Sequence, residues 1–216
     1  NCKRKPANFM IDNIQWLGHG SFVVNGPPII YINPWRVTQK AFHPDVILVG
    51  HDHYAHCSPA DIDKLRGPDT IVVGNEAVAQ NVENCAVLRP WQSITVGKAS
   101  IKAVPAYSHD DNHHPKQAGG LGFIISLNFY DIYYAGDTQE IPEMELIRPD
   151  IAVLPIDGNG TMTVTEAAEV VKKMNPRWVL PSNWDNSSDG TTQLDVQTFK
   201  NMVGNHSEVI LLPQTN

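Results

Sequence analysis

The chain is poor in cysteine, poor in long apolar runs and poor in positive charge. Three cysteines in 216 residues, Cys2, Cys57 and Cys85, are too few and too scattered for a disulfide framework. No apolar run approaches the roughly 18–20 residues of a membrane-spanning helix. Lys and Arg total 16 against 23 Asp and Glu, a net charge of −7. No basic stripe is present, and Lys3-Arg4-Lys5 reads as a solvated terminus, so nucleic acid is not an expected partner. Internal repeats and low-complexity segments are also missing. With 42% hydrophobic and 18% charged residues, the chain has the composition of an ordinary globular protein with ample length for a core.

The chain has nine histidines, and three of them fall in one stretch of six residues. His51-Asp52-His53-Tyr54-Ala55-His56 follows directly on Val46-Ile47-Leu48-Val49-Gly50, which reads as a fully buried strand. His51 and His53 point the same way if the backbone stays extended. His56 returns to that side if the chain turns into a helix. Such a segment offers several nitrogen ligands to one or two metal ions. Cys57 beside it is either a soft ligand or a small buried filler.

The remaining pattern alternates. Short strands are expected over 13–17, 21–25, 29–32 and 46–50. Ser58 caps a helix from Pro59 to about Arg66, with Asp61 at the capping-box position. Strands at 70–73 and 86–88 flank a short helix capped by Asn75. Further strands are expected at 94–96, 100–105, 122–127, 131–135, 150–155, 178–180 and 208–212. Helices run from a Thr163/Glu166 capping box to Met174 and from Leu194 to Val203. This inventory alone supports a mixed α and β single domain over 1–216, with residues 1–8 a flexible N-terminal segment.

Two further segments bring metal-ligand chemistry. Asp137 emerges after the strand 131–135 in Gly136-Asp137-Thr138. The loop Ser108 to Lys116 carries His109, His113 and His114, and a loop of that length in a compact domain is often functional.

His51-x-His53-x-Ala55-His56 after a buried strand resembles the His-x-His-x-Asp-His signature of the metallo-β-lactamase superfamily. Ala55 stands where that family has a metal-binding aspartate. Gly136-Asp137-Thr138 resembles the segment whose aspartate binds metal. Three more segments resemble the lactonase-like branch, similar to L-ascorbate-6-phosphate lactonase: Trp16-Leu17-Gly18-His19-Gly20, Ile32-Asn33-Pro34-Trp35, and His114-Pro115-Lys116 with Gly122-Phe123. Leu180-Pro181-Ser182-Asn183 resembles the family's closing Pro-x-His segment. Asn33 replaces an aspartate and Asn183 replaces the closing metal-binding histidine.

The resemblance implies a four-layer αββα sandwich. It implies metal ligands at His51, His53, His56, His114 and Asp137, with His114 preferred to His109, although spacing alone does not separate those two. It implies a divalent ion, zinc or manganese, and with Ala55 and Asn183 at the second position, one ion rather than two. The expected activity is hydrolysis of an ester, lactone or phosphodiester through a metal-bound water or hydroxide, with Asp137 and His19 assisting. The alternative is a pseudo-enzyme that keeps the fold and one metal for binding. His19 is either substrate-facing or a core histidine. Lys116, Arg36 and Asn183 are candidate contacts to a small-molecule substrate carrying negative charge. Trp35, Trp91 and Trp184 are pocket walls or core, and His43 and His206 are ordinary structural or surface residues. Self-association is left open. The expected location is the cytoplasm, or the periplasm if Cys2 is the lipidated end of a lipoprotein.

Overall fold

The computed structural model describes residues 10–38, 42–109, 112–184 and 192–215. Cys2, the Lys3-Arg4-Lys5 cluster and the expected flexible segment 1–8 lie outside them.

Two sheets form the body. The first contains β1 (Ile14–Gly18), β2 (Ser21–Val24), β3 (Ile30–Ile32), β4 (Val46–Leu48), β5 (Ile71–Gly74) and β6 (Cys85–Val87), paired in that order. The second contains β7 (Ser93–Val96), β8 (Ala99–Pro105), β9 (Leu121–Leu127), β10 (Tyr130–Tyr134), β11 (Ile151–Pro155), β12 (Trp178–Ser182) and β13 (Glu208–Val209), also in chain order. Each sheet begins antiparallel and turns parallel, at β3–β4 in the first and at β10–β11 in the second. The parallel strands β4, β11 and β12 are buried along their whole length. That burial is why they read as unbroken apolar runs and not as alternating ones.

Strand periodicity splits the segment 46–49 between two cores. Val46 and Leu48 join the large cluster between the sheets, with Phe22, Ile32, Ile101 and Phe123. Ile47 and Val49 face the other way, into a smaller cluster with Ile62 and Leu65 of α1 (Pro59–Leu65) and Val78 of α2 (Glu76–Asn81). On the far side, α3 (Val164–Met174) and α4 (Gln193–Val203) bury Ala167, Ala168, Val171, Val196 and Phe199 against the second sheet. The result is four layers, αββα. No helix among the described residues is long and apolar enough to cross a membrane.

Helix starts follow local chemistry. Asn75 Oδ1 accepts from Val78 N at 2.9 Å, and Thr163 and Glu166 close a reciprocal capping box. Ser58 caps α1, but Asp61 does not complete the box. Its carboxylate instead accepts from the backbone N–H groups of Arg36 (2.8 Å) and Val37 (3.2 Å), tying the Asn33–Val37 turn to α1. A second box, Thr192 with Asp195, starts α4. The last strand is shorter than the expected 208–212, because β13 pairs with β12 only at Glu208 and Val209.

Candidate metal centre

The site lies beyond the carboxyl ends of β4 and β10. After Leu48 the backbone remains extended through Gly50, then turns at 53–56, where the N–H groups of His56 (2.9 Å) and Cys57 (2.8 Å) both reach His53 O. The turn brings three imidazoles together. The His51 ring centroid lies 4.6 Å from that of His53 and 4.5 Å from that of His56. Asp137 arrives from the other sheet through Gly136, whose φ of +72° and 2.8 Å clearance to Leu121 O exclude a side chain. His114 completes the group at 5.1 Å from His51 and 4.9 Å from His53.

Three imidazole Nε2 atoms surround one carboxylate oxygen. Asp137 Oδ2 is 3.2 Å from His56, 3.4 Å from His114 and 3.6 Å from His51. All three Nε2 atoms are buried without a well-aligned hydrogen bond. Buried polar atoms normally have partners, so several exceptions at one point call for an ion. The donor atoms of His51, His53 and His114, and separately those of His51, His56 and Asp137, lie within 4.8 Å of one another. Nitrogen and carboxylate donors in this arrangement suit a divalent first-row ion.

The charge states of His51, His53 and Asp137 agree with that fit. Burial, reinforced by neighbouring His56, pushes His51 well below the ordinary histidine range, leaving it neutral with a lone pair to give. Burial and His114 lower His53 as well. Burial also works to lower His114, but the hydrogen bond and charge of Asp137 prevail and raise it. Burial alone would raise Asp137, yet the surrounding imidazoles, His56 first, hold its carboxyl well below the usual range.

A second ring of contacts orients these groups. His114 Nδ1 faces Gly160 O at 3.1 Å, which Ser108 Oγ also reaches at 2.5 Å. Asn183 Nδ2 donates to Asp137 Oδ1 at 2.9 Å. Asn33 Nδ2 lies 2.9 Å from both His56 Nδ1 and Tyr134 OH, and Asn33 Oδ1 accepts from Gly50 N at 2.9 Å. Tyr134 OH donates to Gly20 O at 2.7 Å. A Cβ on Gly20 would stand 2.6 Å from His56 Cε1 and 3.1 Å from Asn183 Oδ1, so this packing requires glycine. Tyr134, Gly20, Ser108 and Gly160 carry no ligand-type signal in the sequence. Only the Asn33 and Asn183 departures marked any part of this ring.

The other candidates scatter. His109 is exposed, with Nε2 on Glu140 O at 2.7 Å. It lines a separate cavity of about 700 Å³ with Ile141 and Lys173. The cavity beside His51, His53 and His114 is about 30 Å³, room for a water or two. Lys116 lies outside the cluster, its ammonium on Glu143 at 2.9 Å and over the Tyr107 ring. Arg36 stacks on Trp35 at 4.1 Å, and Trp35 meets the half-buried His19 edge-on at 5.9 Å. The His19 ring is 5.2 Å from that of His56. Asn183 is buried beneath the site, not at its mouth. Trp184 stacks on Trp16 at 4.8 Å in the core, while Trp91 is exposed. Cys57 packs with Ile47 and Ile62, its thiol pushed up to about 11 chiefly by burial, which suits a filler. His43 Nδ1 meets Leu65 O at 2.9 Å, and His206 is exposed.

A family model described as the beta-lactamase superfamily domain matches residues 13–183. A curated metal-dependent hydrolase of Thermoplasma volcanium is 31% identical over 216 residues, covering 93% of this chain and 95% of the relative. One of Thermococcus onnurineus is 30% identical over 215 residues, covering 92% and 95%. Among solved structures, a candidate metal-dependent hydrolase from Parabacteroides distasonis superposes with a TM-score of 0.82 at 26% identity, covering 94% of this chain and 93% of that one. A metallo hydrolase of the archaeon Ignicoccus hospitalis has a TM-score of 0.78 at 20% identity, covering 94% and 95%, a likeness of fold alone.

Proposed function

The chain belongs to the beta-lactamase superfamily domain family, and from that membership we propose that it is a metal-dependent hydrolase acting on an ester, lactone or phosphodiester at a one-ion centre. The observation that carries this reading is the convergence of His51, His114 and the more exposed His53 at one point between two sheets, with Asp137 Oδ2 3.6 Å from His51 and 3.4 Å from His114. In this reading His51, His53, His114 and Asp137 hold the ion, zinc or manganese. The ion supplies Lewis-acid activation of water and of the scissile group.

The protein's own groups then have distinct tasks. Gly160 O, by accepting from His114 Nδ1, fixes which nitrogen of that ring faces the site. Asn183 holds one oxygen of Asp137, leaving Oδ2 turned towards the imidazoles. His19, on the His56 side beside Trp35, is placed to face substrate and to return a proton to the leaving oxygen. Arg36, stacked on Trp35, is the cation available to an anionic substrate group. Lys116 serves less well, since Glu143 already neutralises it.

A second reading is a binding protein that retains the ion without turnover. Ala55 favours it, because no carboxylate stands there to orient water beside His56. Elemental analysis beside a hydrolysis screen separates the two. Bound metal with turnover of one substrate class, lost in His114→Ala, supports the hydrolase. Bound metal with no turnover across esters, lactones and phosphodiesters supports the binder, and a chain that retains no ion contradicts both.

A further inference from the structure

His114 and His56 both turn Nε2 towards Asp137 Oδ2, at 3.4 and 3.2 Å. Their other nitrogens face opposite partners. The partner of His114 Nδ1 is a carbonyl, Gly160 O. A carbonyl only accepts, so Nδ1 carries a proton, and in the neutral ring the Nε2 lone pair faces the carboxylate. Two acceptors pressed together in a buried place require a cation between them, a proton or a metal ion.

The partner of His56 Nδ1 is the Asn33 side-chain amide, whose orientation the surroundings fix. Asn33 Oδ1 accepts from Gly50 N–H at 2.9 Å. Reversing the amide would press its NH2 against that N–H, two buried donors face to face. Tyr134 OH donates its only proton to Gly20 O at 2.7 Å, so its oxygen accepts from Asn33 Nδ2 at 2.9 Å. The second Nδ2 proton points to His56 Nδ1 at 2.9 Å. A ring nitrogen that accepts is unprotonated, which places the proton of neutral His56 on Nε2. There it faces Asp137 Oδ2 at 3.2 Å, a donor opposite an acceptor, off the line of a well-aligned hydrogen bond but made complementary by a small shift and not by a cation. Asn183 Nδ2 treats the other oxygen likewise, donating to Oδ1 at 2.9 Å.

We infer that His56 is a positioning residue and not a metal ligand: together with Asn183 it supplies Asp137 with hydrogen-bond donors where a second ion would supply charge. This inference rests on the one-ion reading and goes further. The second position is closed by the Asn33-His56-Asp137-Asn183 chain, and is not merely short of ligands. Restoring Ala55 and Asn183 to metal-binding residues would leave His56 with its proton in the way until Asn33 becomes an acceptor. An aspartate at 33 accepts from Nδ1–H and frees the Nε2 lone pair.

Long-range proton–nitrogen NMR of the histidine-labelled full chain, with and without Zn²⁺, tests this directly. His56 is expected as the Nε2–H tautomer in both states, with its nitrogen shifts unmoved by Zn²⁺. His114 is expected as Nδ1–H, with Nε2 shifted on loading. His56→Gln is expected to keep one Zn²⁺ per chain, while His53→Ala loses it. Nδ1–H at His56 in the unaltered protein, or a His56 Nε2 shift on adding Zn²⁺, would overturn the inference. A chain that takes up no Zn²⁺ refutes the one-ion reading, while the tautomer of His56 in that same metal-free chain still decides this one.

Discussion

Asp137 has two unlike sides. On one, His51, His53 and His114 bring imidazoles whose neutrality is enforced by burial or whose proton is committed to a backbone carbonyl. On the other, His56 and Asn183 bring nitrogens engaged with the Asn33 amide and with the carboxylate itself. Residue types alone make the sides nearly equal, since both contain histidine beside the same aspartate. What separates them is the partner one step back: a carbonyl behind His114, an amide behind His56. A histidine near a carboxylate is therefore not yet a ligand, because the proton's location decides between binding a cation and replacing one.

The largest expected effect comes from breaking the first side. His114→Ala should weaken metal retention more than 100-fold, beyond the roughly 10–100-fold typical of a residue one step removed from the ion. Equilibrium dialysis with zinc measures it, and retention near that of the parent would move the ion elsewhere. The next test tries to make the two sides alike. Ala55→Asp with Asn183→His and Asn33→Asp should raise metal content from about one ion per chain towards two. Ala55→Asp with Asn183→His alone should fall short. Neighbours around one ion are not additive, and a full second ion without the Asn33 change would show that the amide does not control His56.

A third substitution loosens the closed side by crowding. A Cβ at Gly20 meets His56 and Asn183, so Gly20→Ala should cost about 1–3 kcal/mol of stability, as overpacking does in a close-packed interior. Chemical denaturation measures this, and an unchanged midpoint would mean the network yields freely. The smallest effect should come from His109→Ala. That exposed ring touches Glu140, away from the centre, so metal content should stay unchanged and stability should move by no more than about 0.5 kcal/mol.

These regions also differ in how well the sequence announces them. His51, His53 and His56 are neighbours in the chain, and Asp137 follows a recognisable strand and glycine, so the ligand segments can be read directly. Much of the fold is similarly legible. Buried parallel strands read as apolar runs, and Asn75 and Thr163 mark their helices by local capping. Thr192 was not legible as a cap, because the apolar pattern of α4 begins only at Leu194. The hydrogen-bonded ring is illegible for a different reason. Asn33 meets Tyr134 across 101 residues, Tyr134 meets Gly20 across 114, and Ser108 meets Gly160 across 52. Hydrogen bonds made only after two sheets have packed leave no spacing pattern behind. Asp61 teaches the same lesson: its position fits a capping box, yet its carboxylate is drawn to the unpaired N–H groups of Arg36 and Val37.

The count of bound ions tests the central claim most directly. The unaltered chain should be loaded with excess zinc, dialysed to equilibrium and measured by elemental analysis against protein concentration. One ion per chain, reduced towards zero in His114→Ala and retained in His56→Gln, is the expected result. Two ions per chain, with one of them lost in His56→Gln, would contradict it and make the two sides of Asp137 equivalent after all.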